Sequence, residues 1–266
     1  MIDAISLGPL ASTPPMVIFV VTMLAAFGLV IGSYLNVVIY RLPAGISTVY
    51  PGSRCPRCLM PVKPWDNVPV VSYLLLGAKC RFCRGHIALR YPLVEALTSI
   101  LFVAAYWRYS ADALSVVVAC GLSACLVALA LIDWDHREVP LALVWSGLVL
   151  GLGVQPWLGW TDPFEAFFGA WVGGGGLWLI AGVWQRLTGE RGFEDGDVWV
   201  LALIGAFGGP VGVIKVFVAA ALVAVSVTAL SIAVRQVPSG SSRLRRGIPF
   251  VTYLSAGALG LFLMPV

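Results

Sequence analysis

Charge is what this chain has least of. Only 11% of its 266 residues are charged, against 59% hydrophobic, and mean hydropathy is +0.92. A soluble domain carries about 25% charge, so the shortage excludes water as the main solvent and identifies a polytopic membrane protein. The apolar stretches lack the alternation of barrel strands, and they read as helices. The first fifteen residues hold no Lys or Arg, only Asp3. Without a basic n-region they make a poor secretory signal, so residues 16–40 are expected to remain as a first transmembrane helix with its N-terminus outside. A Gly-rich Rossmann fingerprint, low-complexity linkers and a whole-domain repeat are also missing.

The charge that is present is unevenly placed. Arg41, Arg54, Arg57, Lys63, Lys79, Arg81, Arg84 and Arg90 fall in the first loop, with Asp66 as its only acid. A cytoplasmic loop beside a membrane accounts for such a bias, and no nucleic-acid partner is needed to explain it. Seven further apolar segments follow, at 92–107, 114–132, 141–157, 166–184, 198–207, 211–234 and 248–264. The run Gly173–Gly176 in the fifth permits close helix contact. The sixth is short and ends at Gly208-Gly209-Pro210. Kept separate from the seventh, it gives eight helices and places fifteen of the seventeen basic residues inside, leaving Arg108 and Lys215 near the outer face.

Four cysteines of the first loop form two C-x-x-C pairs, Cys55/Cys58 and Cys80/Cys83. Each pair can form a knuckle, and four thiolates suit tetrahedral zinc. Rubredoxin-like iron, a redox pair or two disulfides are the alternatives, the last disfavoured by a reducing cytoplasm. His86 reads as an ordinary loop histidine. Cys120 and Cys125 read as small apolar residues within the third helix.

Acids avoid the helix centres and gather at two inside ends: Asp133, Asp135 and Glu138 after the third helix, and Glu190, Glu194, Asp195 and Asp197 before the sixth. Intramembrane acids are expensive and mark function. Asp133 and Asp197 are expected at one depth on one face. Two carboxylates brought together share a proton, so one can activate water while the other protonates a scissile carbonyl. Gly196 would let substrate backbone approach. Solvated loop charges and helix caps are the alternative reading of these acids.

Four stretches resemble the bacterial type IV prepilin peptidases, the leader peptidase/N-methyltransferases. They are Gly32-Ser33-Tyr34-Leu35-Asn36 through Arg41-Leu42-Pro43; Ser53-Arg54-Cys55-Pro56-Arg57-Cys58 through Trp65-Asp66-Asn67-Val68-Pro69 to Tyr73; Cys80 through Leu89-Arg90-Tyr91-Pro92-Leu93-Val94-Glu95; and Ile132-Asp133 with Pro140, paired with Gly196-Asp197-Val198. Ile248-Pro249-Phe250 resembles the family's last helix.

The resemblance implies a bacterial inner-membrane aspartyl endopeptidase of GxGD type. It would cut the basic leader from type IV prepilins and type II secretion pseudopilins after glycine at the cytoplasmic face, then methylate the new N-terminus with S-adenosylmethionine. Catalysis maps onto Asp133 and Asp197, with Asp135 the lesser choice. A structural zinc maps onto Cys55, Cys58, Cys80 and Cys83; the contacts of the methyl donor stay unassigned. The expected fold is all-α with about eight transmembrane helices: a first helix (1–40), a cytoplasmic zinc module (41–91) between helices 1 and 2, and a peptidase domain (92–266) in contact with membrane lipid. Two departures stand out. Glu194 replaces the first glycine of Gly-x-Gly-Asp, and Trp199 replaces the usual lysine. A cation transporter using the acidic clusters, or a scaffold with a zinc docking module, are the competing readings.

Overall fold

Long runs of Val, Leu, Ile, Ala and Phe satisfy their backbone groups locally as helices, and the described residues contain no strand. The computed structural model describes residues 13–190, 192–234 and 249–263. Arg191, Arg235, Arg243, Arg245, Arg246 and the outer limits predicted for the eighth segment, Ile248 and Met264, lie outside them. The helices are α1 (Pro14–Arg41), α2 (Val71–Leu75), α3 (Arg90–Tyr109), α4 (Ala113–His136), α5 (Leu141–Leu158), α6 (Pro163–Trp171), α7 (Leu177–Thr188), α8 (Asp195–Val234) and α9 (Phe250–Leu263). A π-helical turn, Val172–Gly176, joins α6 to α7. Among the described residues, four stretches are long and apolar enough to cross a membrane: Pro14–Arg41, Ala113–His136, Pro163–Thr188 and Asp195–Leu230. Exposed Ile18, Phe19, Phe27 and Val30 on α1, and Phe164, Phe167, Trp178 and Ile180 on α6 and α7, suit hydrocarbon rather than water.

Residue contacts divide the described residues within α4 into two units, one ending at Ala124 and one starting at Cys125. In the first, α1 and α3 run antiparallel with small residues at the seam. A Cβ on Gly28 would sit 2.6 Å from the Ser99 Cα, and one on Gly32 2.6 Å from the Glu95 Cα. That is the small-xxx-small spacing that lets helix backbones touch. Ser99 Oγ donates to the Ala25 carbonyl (2.9 Å), and Asn36 Nδ2 donates to the Tyr91 carbonyl (3.2 Å). Arg41 closes the loop beyond α1 through its contacts with the Ser47, Pro51 and Gly52 carbonyls.

In the second unit the chain reverses inside α8. Gly209 has φ 62° and ψ −173°, outside any helix, and Pro210 follows. A left-handed φ is free for glycine and strained for other residues. Phe193, ahead of α8, lies 6.2 Å from Phe217 between ring centroids, and both lie 5.7 Å from Phe250. A continuous helix would separate residues 195 and 217 by about 33 Å, so residues 195–208 and 210–234 form two arms of a hairpin. This break falls where the sequence separates its sixth and seventh segments.

The first arm is buried on several sides. Gly147 and Gly151 of α5 face Leu203 and Phe207. On α6, Gly169 meets Gly205 backbone to backbone, with no room for a Cβ on either. Gly173 and Gly174 meet Leu201 and Ala202, while Gly175 and Gly176 of the same run do not face this arm. Val200, Leu203, Ile204 and Ala206 are fully buried.

Gly205→Val forces the α6 backbone away from this arm. Overpacking of this kind costs on the order of 1–3 kcal/mol, so the melting temperature of the detergent-solubilised protein should fall. The same change at Gly176, which has open space around it, should leave melting nearly unchanged.

Candidate active site and metal centre

Of the seven acids gathered around the end of α4 and before or at the start of α8, Asp133 and Asp197 are buried, 4% and 5% exposed. Asp135, Glu138, Glu190, Glu194 and Asp195 are exposed. Asp133 sits in the last turn of α4. Its own carbonyl accepts the N–H of Arg137 (3.0 Å), and Arg137 takes a left-handed φ of 59° that ends the helix. The chain then turns through Val139 to Pro140 and α5. Val139 packs where a side chain on Gly196 would go. Gly196 therefore lets the α4–α5 turn close on the start of α8, where the sequence suggested access for substrate backbone. That contact draws Asp133 and Asp197 together, close enough to interact electrostatically with each other and with Glu194; Arg137 also acts on Asp133.

Each buried carboxylate is anchored by a helix start. Asp133 Oδ2 accepts the backbone N–H of Thr252 (2.9 Å) in the first turn of α9, and Thr252 Oγ1 lies 3.1 Å from the same oxygen and 2.8 Å from the Ala130 carbonyl. Asp197 Oδ2 accepts the N–H of Glu194 (2.9 Å), the reciprocal half of a capping box at the start of α8. The first N–H groups of a helix have no internal acceptor, and the helix dipole favours negative charge there. Sequence reasoning missed Thr252. Its one signal is position, two residues inside the last helix behind Pro249. Trp199 packs against Trp145 of α5 at 4.8 Å between ring centroids, so it fills a helix seam.

In the first unit the four cysteines converge. Their sulfurs all lie within 4.8 Å of one another, with Cys55–Cys83 at 3.8 Å and Cys58–Cys80 at 4.0 Å. A tetrahedral ion with metal–sulfur bonds of about 2.3 Å needs sulfurs roughly 3.8 Å apart, so the four fit one ion with no position left open. His86 is exposed and outside the cluster. The N–H groups of Cys58 and Arg57 bring the Cys55 thiol down to about 6, while burial and the neighbouring thiols push that of Cys58 up to about 11.

The two knuckles share a backbone pattern that the sequence reading did not register. Cys55 N–H donates to the Met60 carbonyl and Cys80 N–H to that of Gly85; Leu59 and Arg84 donate back to Cys55 and Cys80; Val62 and Ile87 donate to Ser53 and Ala78. Leu59 and Arg84 share a left-handed φ of 58° and 57°.

Motif residues around the knuckles hold the module to the helices. Glu95, 7% exposed, accepts the Val70 N–H (2.7 Å) from inside α3. Ser72 Oγ donates to the Trp65 carbonyl and accepts the Val68 N–H. Arg81 donates to Asp66 from Nε (2.7 Å) and Nη2 (2.5 Å), and this bond holds the Asp66 carboxyl below its usual range.

Comparison with known proteins places these sites in a family context. Residues 26–109 match the family model of the bacterial peptidase A24 N-terminal domain, and residues 120–230 match that of the type IV leader peptidase family. A prepilin leader peptidase/N-methyltransferase of Pseudomonas aeruginosa is 35% identical over 260 residues, covering 88% of this chain and 87% of its own. One from Neisseria gonorrhoeae is 36% identical over 217 residues, covering 71% and 74%. A type 4 prepilin-like proteins leader peptide-processing enzyme of Escherichia coli is 35% identical, covering 69% and 75%. No solved structure matches the chain.

Replacing Cys55, Cys58, Cys80 and Cys83 together by Ser should abolish metal in the purified protein, measured by mass-spectrometric elemental analysis. His86→Ala should retain one ion per chain.

Proposed function

The chain belongs to the type IV leader peptidase family and is an enzyme of prepilin-peptidase type; on that premise we propose that it removes the basic leader of type IV prepilins and type II pseudopilins after glycine, by an aspartyl mechanism, and then methylates the new N-terminus. The observation that carries the peptidase reading is selective burial. Two acids of seven are withdrawn from water, they interact, and each is anchored by a helix-start N–H.

In this reading Asp133 and Asp197 share one proton. The ionised carboxylate takes a proton from water as the water attacks the scissile carbonyl. The protonated one donates to the carbonyl oxygen, and the proton returns to the leaving amine. Both anchors engage Oδ2, which leaves Oδ1 of each side chain for water and peptide. Exposed Glu194 and Asp195 border the site with negative charge, complementary to a basic leader.

The four-cysteine module holds a structural zinc, because four thiolates leave no position for a catalytic water. S-adenosylmethionine, when bound, supplies an electrophilic methyl group; the relatives' names support this second activity. Eight membrane crossings, a cytoplasmic site and module, and the division into residues 1–40, 41–91 and 92–266 complete the proposal. The hairpin at Gly209 supports the even count, since it returns the chain to the side from which α8 starts.

Asp133→Asn and Asp197→Asn should each lower prepilin cleavage by about 10²–10⁴-fold, read by the mobility shift of pilin on gels, while Asp135→Asn keeps partial activity. Full cleavage by Asp197→Asn would sink the assignment. Thr252→Val removes the side-chain partner of Asp133 and keeps the backbone one. It should lower kcat by about tenfold with little change in KM.

A further inference from the structure

Helix α2 is inside out for a turn that faces water. Ser72 is buried, and its hydroxyl serves the Trp65 carbonyl and the Val68 N–H. Leu74 and Leu75 are 70% and 82% exposed, and Val71 is exposed with them. Apolar side chains grouped on the outside of so short a helix mark an interface.

The depth of α2 says what lies across that interface. Val70, directly before α2, donates its N–H to Glu95 (2.7 Å). It does so at a φ of 59°, an outlier for a β-branched residue, so the tie holds α2 in place against a backbone cost. Glu95 is level with Gly32 of α1, where an added Cβ would sit 2.6 Å from the Glu95 Cα. The 28 residues of α1 form a candidate membrane span about 42 Å long. Centred on a hydrocarbon core of about 30 Å, it overruns each side by about 6 Å. Gly32 stands nine residues before Arg41, about 13 Å along the axis. Val70 is therefore tied about 7 Å inside the edge of the core. Leu93 and Leu97, on either side of Glu95 in α3, are exposed at the same level.

The surroundings of the turn are cationic. Residues 41–91 carry eight Lys and Arg against one acid, and that acid, Asp66, is paired with Arg81. Leu75 and Leu76 share a cavity of about 250 Å³ beside the second knuckle with Trp65, Arg81 and Arg84, so cations stand at the edge of the apolar turn. Arg84 forms no ion pair among the described residues. Lys63 Nζ lies 5.4 Å from the Trp65 ring centroid and 5.9 Å from that of Phe82. Leucines, exposed aromatic rings and long cations in one patch match the acyl chains, the interface and the phosphate layer of an anionic leaflet. A soluble phosphate would use the cations and leave the leucines in water, and a basic peptide would be repelled by the same cations.

We propose that α2 is a membrane-inserted turn, with Val71, Leu74 and Leu75 among the acyl chains and Lys63 and Arg84 on the phosphate of an anionic phospholipid. The four-cysteine module is then moored to the leaflet as well as to the ends of α1 and α3.

Photocrosslinking of the full-length protein in vesicles tests it. The photoreactive amino acid p-benzoylphenylalanine takes the place of Leu75, whose exposure leaves room for it, and intact-protein mass spectrometry reads the adducts. The vesicles hold equal amounts of phosphatidylglycerol and phosphatidylcholine. Irradiation should attach one phospholipid per chain. Phosphatidylglycerol should be favoured about fivefold for each cation that engages it. Lys63→Gln combined with Arg84→Gln should bring the two lipids to about equal yield. If the double variant melts well below the wild type in detergent, Lys63→Gln alone decides: a reduced preference supports the proposal and an unchanged one overturns it. The same photoreactive group at exposed Ile18 of α1 checks that lipid adducts are detected. Lipid adducts at position 18 and none at position 75 overturn the proposal. Adducts at position 75 with no preference for phosphatidylglycerol overturn it too, because the cations then play no part. A crosslink from position 75 to a co-reconstituted prepilin in place of lipid gives this face to a protein partner, with the same consequence.

Discussion

The unpaired N–H groups at the starts of two helices hold the two buried carboxylates, and the rest of the candidate site depends on where those starts lie. Asp133 is held by α9 and Asp197 by the residue that opens α8. In a medium without water, a carboxylate keeps only the partners the protein supplies. Backbone donors at helix starts are the least adjustable of these, because a side-chain rotation cannot remove them. The site is therefore as rigid as the arrangement of α4, α8 and α9.

That arrangement follows from missing side chains. Gly169 and Gly205 let α6 lie on the first arm of α8, and Gly209 turns the chain back so that Phe217 reaches Phe193 and Phe250. The three rings lie between the start of α8 and the start of α9. Gly196 then admits Val139, which carries the end of α4 inward. Dispersion between helices replaces the hydrophobic effect inside a bilayer, and close backbone approach is how it is gained. The metal module follows a different rule. Poor in buried apolar side chains, it is tied by convergent sulfurs, by Glu95 and by the Arg81–Asp66 pair, as small domains without a large core require.

Much of this was legible in the chain itself. The two C-x-x-C pairs foretell the cluster of four cysteines because a knuckle is a local structure, and the break at Gly208-Gly209-Pro210 is local too. The acids at the inside ends pointed to a site without separating Asp133 and Asp197 from their neighbours on residue chemistry alone; the family resemblance made that choice. Thr252 and the packing role of Gly196 left no comparable signal, because each acts through a partner from another helix.

The sequence by itself determined the membrane character and the helical class and pointed to the four cysteines and to two groups of acids, since hydropathy and short spacings are properties of neighbouring residues. The tertiary structure alone decided which acids lose water, what holds them and which knuckle faces a cavity. Those outcomes rest on contacts such as Asp133 with Thr252, 119 residues apart, and Val70 with Glu95, 25 apart. Burial is a property of the packed chain, and no local pattern encodes it.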